Sequence, residues 1–105
     1  MAITTHVQDS SKGVPAARIP VQLDYFVTGH GWREIANGLT NENGHIAQFE
    51  ESLAPGIYRL SYDVANWMPE AYFPSVVVMF EVNNPNEPQH IALVVSPYGY
   101  TVHRQ

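Results

Sequence analysis

Five residues of this chain suit chemistry near neutral pH: His6, His30, His45, His90 and His103. Imidazole gains and loses a proton in that range, so each is a candidate general acid or base. Three or four that converge could also ligate zinc or another transition metal. Alternation along extended segments sorts them by face. In AITTHVQD, Ile3, Thr5 and Val7 suit a core, so Thr4, His6 and Gln8 face outward. In QHIALVV, Ile91, Leu93 and Val95 suit the core, so His90 faces out with Ala92. In YGYTVH, Tyr100 and Val102 suit the core, so Thr101 and His103 face out. His6, His90 and His103 would share one surface if their strands were neighbours, an adjacency that pattern alone does not supply.

Each of these residues also has a plainer reading. A single outward histidine on a strand is ordinarily a solvated polar side chain. His30, between Gly29 and Gly31, reads as a loop residue, and His45 follows directly on a turn. Arg59, among Ile57, Ser61 and Asp63, reads as a surface ion-pair partner. Trp67, Tyr72 and Phe73 suit a cover over a sheet end. No phosphate loop, nucleophile elbow, His-Glu-x-x-His or EF-hand spacing occurs.

The elements that must position these residues are short strands between turn signals, the signature of an all-β sandwich. Strands are expected over 3–8, 19–28, 32–36, 45–49, 57–64, 75–82, 89–95 and 98–103. The TNENG segment, 40–44, ends in Asn43-Gly44 and reads as a hairpin turn. LAPG, 53–56, and NNPNEP, 83–88, read as further turns. ANWMPEAYF is the one helix-compatible stretch, and Pro69 weakens it. Ser75 to Val82 reads as a strand buried on both faces. About eight strands, at most one short helix and no linker suggest two four-stranded sheets in a single domain over 1–105.

Composition narrows the function. The chain has 105 residues, 45% hydrophobic and 14% charged, enough for a core. Net charge is −5, with five Lys and Arg in all, which argues against nucleic acid or an anionic membrane as partner. The absence of cysteine removes disulfides, thiolate nucleophiles and Cys-type zinc sites. No basic stretch followed by an apolar run opens the chain, and no apolar run is long enough to span a bilayer, so a cytoplasmic protein is expected.

Five separated blocks carry a family resemblance: TTHVQDSSKGVPA (4–16), GLTNENG (38–44), GIYRLSYD (56–63), YFPSVVVMFEV (72–82) and HIALVVSPYGYTVHR (90–104). In this order they resemble the transthyretin-like family, and most of all its enzyme branch, the 5-hydroxyisourate hydrolases. The resemblance implies a transthyretin-like two-sheet sandwich, assembled as a homotetramer (a dimer of dimers) with active sites in the channel between dimers. It also implies cofactor-free ring opening of a small-molecule substrate by addition of water to a carbonyl, in purine breakdown.

In that branch the site uses a histidine in the opening segment, an arginine after the Asn-x-x-Gly turn, a histidine in the penultimate strand, and a Tyr-Arg-Gly-Ser tail. Here His6 and His90 match the two histidines. His45 stands at the arginine position. Arg104 matches the tail arginine, His103 stands where the tyrosine would be, and the serine has no counterpart. The stretch from Asp63 to Phe73 is a few residues shorter than in the family.

Arginine supplies a permanent charge and a rigid fork of donors; histidine supplies a titratable proton instead. The retained pair argues against the hormone-carrier branch. The expectation is a diverged hydrolase-like enzyme with His6 and His90 handling protons and His45 orienting substrate or sharing the relay. Arg104 would hold an anionic group, with His103 and Thr101 lining the site. A working 5-hydroxyisourate hydrolase with a variant site, and a non-catalytic binder of a small aromatic ligand, are the alternatives. Zinc on His6, His45, His90 and His103 stays open beside them, although the family chemistry needs no metal.

Overall fold

The computed structural model describes residues 3–50 and 54–105. Leu53, at the start of the expected LAPG turn, lies outside them. Among the described residues the strands are β1 (Ile3–Asp9), β2 (Val14–Pro15), β3 (Pro20–Val27), β4 (Gly31–Leu39), β5 (His45–Glu50), β6 (Gly56–Asp63), β7 (Ser75–Val82), β8 (Gln89–Ser96) and β9 (Gly99–Arg104). A single 3-10 turn, Val64–Asn66, follows β6. The sequence-based expectation of eight strands missed the two-residue β2, which makes one sheet five-stranded where two of four were expected.

The strands form two sheets. One runs β2-β1-β8-β9, with β5 also paired to β1; the other runs β4-β3-β6-β7. Between them lies one core that includes Ile3, Val7, Leu23, Tyr58, Leu60, Tyr62 and Leu93. Thr5 is a polar member of the buried face. Its hydroxyl donates to the Ile91 carbonyl at 2.7 Å and meets the Tyr62 hydroxyl at 2.7 Å, so burial leaves it satisfied. Burial pushes the Tyr62 phenol far up, so it stays protonated.

Three expectations need correction. The turn at 41–44 does not make a hairpin: β4 pairs with β3, whereas β5 pairs antiparallel with β1 in the other sheet. Buried Thr40 pins this crossing, its hydroxyl donating to Ala16 O and accepting from Ile19 N. Strand β7 is not buried on both faces. It ends its sheet, and Val77 and Met79 are 54% and 65% exposed. Its apolar composition imitates a central strand because alternate residues are apolar on both faces. Finally, Trp67 caps the sheet end, its indole donating to Asp9 at 2.9 Å, whereas Tyr72 is 70% exposed and covers little.

Candidate active site

The outer face of the five-stranded sheet collects four of the five histidines. Antiparallel pairing sets His45 opposite His6, parallel pairing sets Ala92 beside His6, and Ala92 is in turn opposite His103. The row therefore reads His45, His6, Ala92, His103 across β5, β1, β8 and β9. Partners in register point to the same face, which is why four distant segments converge. Thr4 and His90 form the next rung, one pleat away. Ala92 is fully buried, and its small side chain leaves a floor between His6 and His103.

The turn before β5 fixes the placement of His45. Asn41 Oδ1 accepts from the backbone N–H groups of Asn43 and His45, at 2.9 and 3.0 Å. Gly44 O accepts from Val7 N at 2.8 Å, which docks the turn on β1. Gly44 has φ 78°, and a Cβ there would collide with the Val7 carbonyl oxygen, so glycine is required on two grounds.

The rings form a packed stack. His6 and His45 have centroids 5.0 Å apart at 20°, and His6 and His90 4.9 Å apart at 26°. His6 Nδ1 lies 2.6 Å from His90 Nε2, a direct hydrogen bond with one proton between the two nitrogens. The other nitrogen of His90, Nδ1, lies 2.5 Å from Thr4 Oγ1. Burial holds His6 below its ordinary 6.5, helped by repulsion from His90, His45 and His103. Burial also lowers His90, with His45 adding repulsion. Both shifts favour the neutral ring, the form in which imidazole acts as a base.

The other expected site residues divide. His103 is exposed beside the cluster, with the Gln105 side-chain amide 3.4 Å from its Nε2. Thr101 is opposite Val94 on the same face, one pleat beyond the histidine row. The structure does not bring Arg104 to the cluster. Arg104 is in register with Ile91, a core-facing residue, and its guanidinium meets Glu87 at 3.2 Å. That exposed pair is worth under about 1 kcal/mol; strand alternation, not the ion pair, turns Arg104 away. His30 sits in the turn between β3 and β4, in the other sheet.

Thr4 is a contact of the cluster that sequence reasoning missed. Its signal was present, since alternation puts it on the face of His6, but its register against His90 belongs to strand pairing. No group of three or more His, Asp or Glu among the described residues is arranged to hold a metal. His6 and His90 instead direct nitrogens at each other.

The HIUase/Transthyretin family model matches residues 3–105. The chain belongs to that family. It is 34% identical to the 5-hydroxyisourate hydrolase of Pseudomonas aeruginosa, over 97% of this chain and 89% of the relative. It is 33% identical to the uric acid degradation bifunctional protein TTL of Arabidopsis thaliana, over 97% of this chain, which spans only 36% of that longer protein. The structure of Klebsiella pneumoniae 5-hydroxyisourate hydrolase superposes with a TM-score of 0.86 at 27% identity, covering 100% of this chain and 99% of that one. The transthyretin fold expected from the resemblance is thus present. No helix among the described residues is long and apolar enough to cross a membrane.

Proposed function

We propose that the histidine cluster is the active site of a hydroxyisourate hydrolase-like enzyme whose substrate recognition has diverged. The observation that carries this reading is the His6–His90 hydrogen bond, 2.6 Å long and half-buried under the stacked His45 ring. His6 takes a proton from water as the water oxygen bonds to a ring carbonyl carbon of a small cyclic substrate. The protonated cluster returns that proton to the ring atom that departs as the ring opens. Nothing in this cycle requires a cofactor. Site residues are His6 and His90 as the proton-handling pair, His45 for orientation, and His103 with Thr101 at the rim.

Divergence is supported by charge. With His45 at the family's arginine position and Arg104 turned to Glu87, the described cluster contains histidines, Thr4 and Gln105 but no fixed cation. An anionic substrate would meet little permanent positive charge there. A homotetramer with the cluster in a channel between dimers completes the proposal. The open edges at β7 and β9, and exposed Val77, Met79 and Tyr98, support assembly.

The second reading, an effective 5-hydroxyisourate hydrolase, is favoured by the names of the relatives. Oxidising urate and following decay of freshly formed 5-hydroxyisourate separates the two. Under divergence the wild type accelerates decay weakly, and His45→Arg improves kcat/KM about tenfold by restoring a fixed cation. Rapid wild-type turnover that His45→Arg does not improve establishes the second reading. Decay at the uncatalysed rate with both proteins, and no turnover of other cyclic carbonyl compounds, overturns both readings and leaves ligand binding as the function.

A further inference from the structure

The geometry points to Thr4 as a positioning residue that makes His6 a base: its hydroxyl oxygen accepts from His90 Nδ1–H and so selects the tautomer of both rings. The inference deepens the proposed acid-base function of the same cluster and rests on it for its role in turnover.

Three groups stand in line. Thr4 Oγ1 meets His90 Nδ1, and His90 Nε2 meets His6 Nδ1. Each neutral ring carries one proton, so the choice at one end dictates the choice at the other. With Thr4 accepting, His90 carries its proton on Nδ1 and presents a lone pair at Nε2. His6 must then hold its proton on Nδ1 and donate it to His90. Its Nε2 is left as a lone pair, free to take a proton from water. With Thr4 donating, every proton shifts along, and His6 would present an N–H where the reaction needs a base.

The same arrangement handles the proton once it arrives. A proton accepted at His6 Nε2 allows the Nδ1 proton to pass to His90 Nε2. The positive charge then sits on His90, which donates to Thr4 through Nδ1 and to His6 through Nε2. His6 is again neutral and now carries Nε2–H, ready to donate to the leaving atom. One proton enters at His6 Nε2 and one leaves from it, and Thr4 keeps its own throughout. Thr4 is half-buried, so water is available to the hydroxyl hydrogen.

A carboxylate in this position would hold a charge on His90 at rest and raise its affinity for protons. A hydroxyl orients the ring without that charge, in keeping with the neutral pair. Position 4 should therefore tolerate serine and reject valine, which has the same shape but no acceptor.

The test combines nitrogen-15 NMR of the histidine rings with kinetics on whichever substrate the protein turns over. The expected wild-type spectrum at neutral pH shows His90 protonated on Nδ1 and His6 protonated on Nδ1. In Thr4→Val the His90 proton moves to Nε2 and kcat falls about 10- to 100-fold with KM within about twofold. Thr4→Ser keeps the wild-type tautomers and recovers kcat to within about threefold. A wild-type His90 protonated on Nε2 overturns the inference, as does a Thr4→Val protein with wild-type tautomers and kcat. Should Thr4→Val fail to fold, the wild-type and Thr4→Ser spectra still decide. The expected tautomers in a protein that turns over nothing would refute the proposed function while leaving the role of Thr4 in the pair intact.

Discussion

The two outer sheet faces hold polar side chains in opposite ways. On the four-stranded sheet, Asp24 is 2% exposed and Arg59 donates to its Oδ2 from two nitrogens, at 3.0 and 2.9 Å. Gln22 donates to the other carboxylate oxygen at 2.9 Å, and the guanidinium lies 4.2 Å from the centroid of Trp32. Opposite fixed charges neutralise each other there, and every strong partner is engaged. On the five-stranded sheet, like groups are packed together instead. His6, His45 and His90 stack, and a positive charge on any one opposes a charge on the next. A satisfied network adds stability and little else. His6 and His90 give up some affinity for protons there, which suits them to the proposed role of base.

Substitutions can test whether this division between stability and chemistry holds. The largest expected effect is on rate: His90→Ala removes the acceptor for His6 Nδ1–H and should lower kcat/KM about 100- to 10,000-fold. Its urea midpoint should change little, because the ring is only half-buried. Similar activity in His90→Ala and wild type would erase the contrast. Arg59→Ala should do the reverse. It leaves the Asp24 carboxylate buried without its cation and should cost about 2 kcal/mol in urea unfolding, less than a wholly buried pair because Arg59 is 30% exposed. Activity of the folded fraction should stay near wild type.

The smallest effect is a pH dependence. His6 and His90 are held below 6.5 in the folded state, so the unfolded chain binds more protons as pH falls past that value. Stability is thus full above about pH 6.5 and declines as pH drops through the lowered values of the two rings. Urea midpoints for wild type and a His6→Gln, His90→Gln variant should run parallel above about pH 6.5, the variant being flatter below it. Arg59→Ala should shift the curve downward while leaving that histidine-dependent slope in place.

Much of the candidate site's geometry was legible because alternation is a local property. The outward placement of His6, His90 and His103 follows from which neighbours are apolar, and that reasoning holds at each strand. The same reasoning failed at β7, where apolar residues on both faces imitate a buried strand. It also failed at the turn of residues 41–44, whose Asn-Gly pair is equally suited to a hairpin and to a crossing between sheets. Arg104 is a different case. Matching it to a family motif suggested a substrate contact, whereas its alternation with His103 places it on the opposite face.

Residue order alone determined which side chains lie outward, where the chain turns, and that the chemistry available is that of imidazole without cysteine. Strand pairing decided everything that joins those pieces. His45 reaches His6 only because β5 leaves the sheet of β4, and His90 reaches both His6 and Thr4 only because β8 runs parallel to β1 in one register. A shift of one residue in that register would turn the pair to opposite faces. Side-chain direction is set within two or three residues, but the 2.6 Å contact between residues 84 apart depends on the core that holds the two strands together.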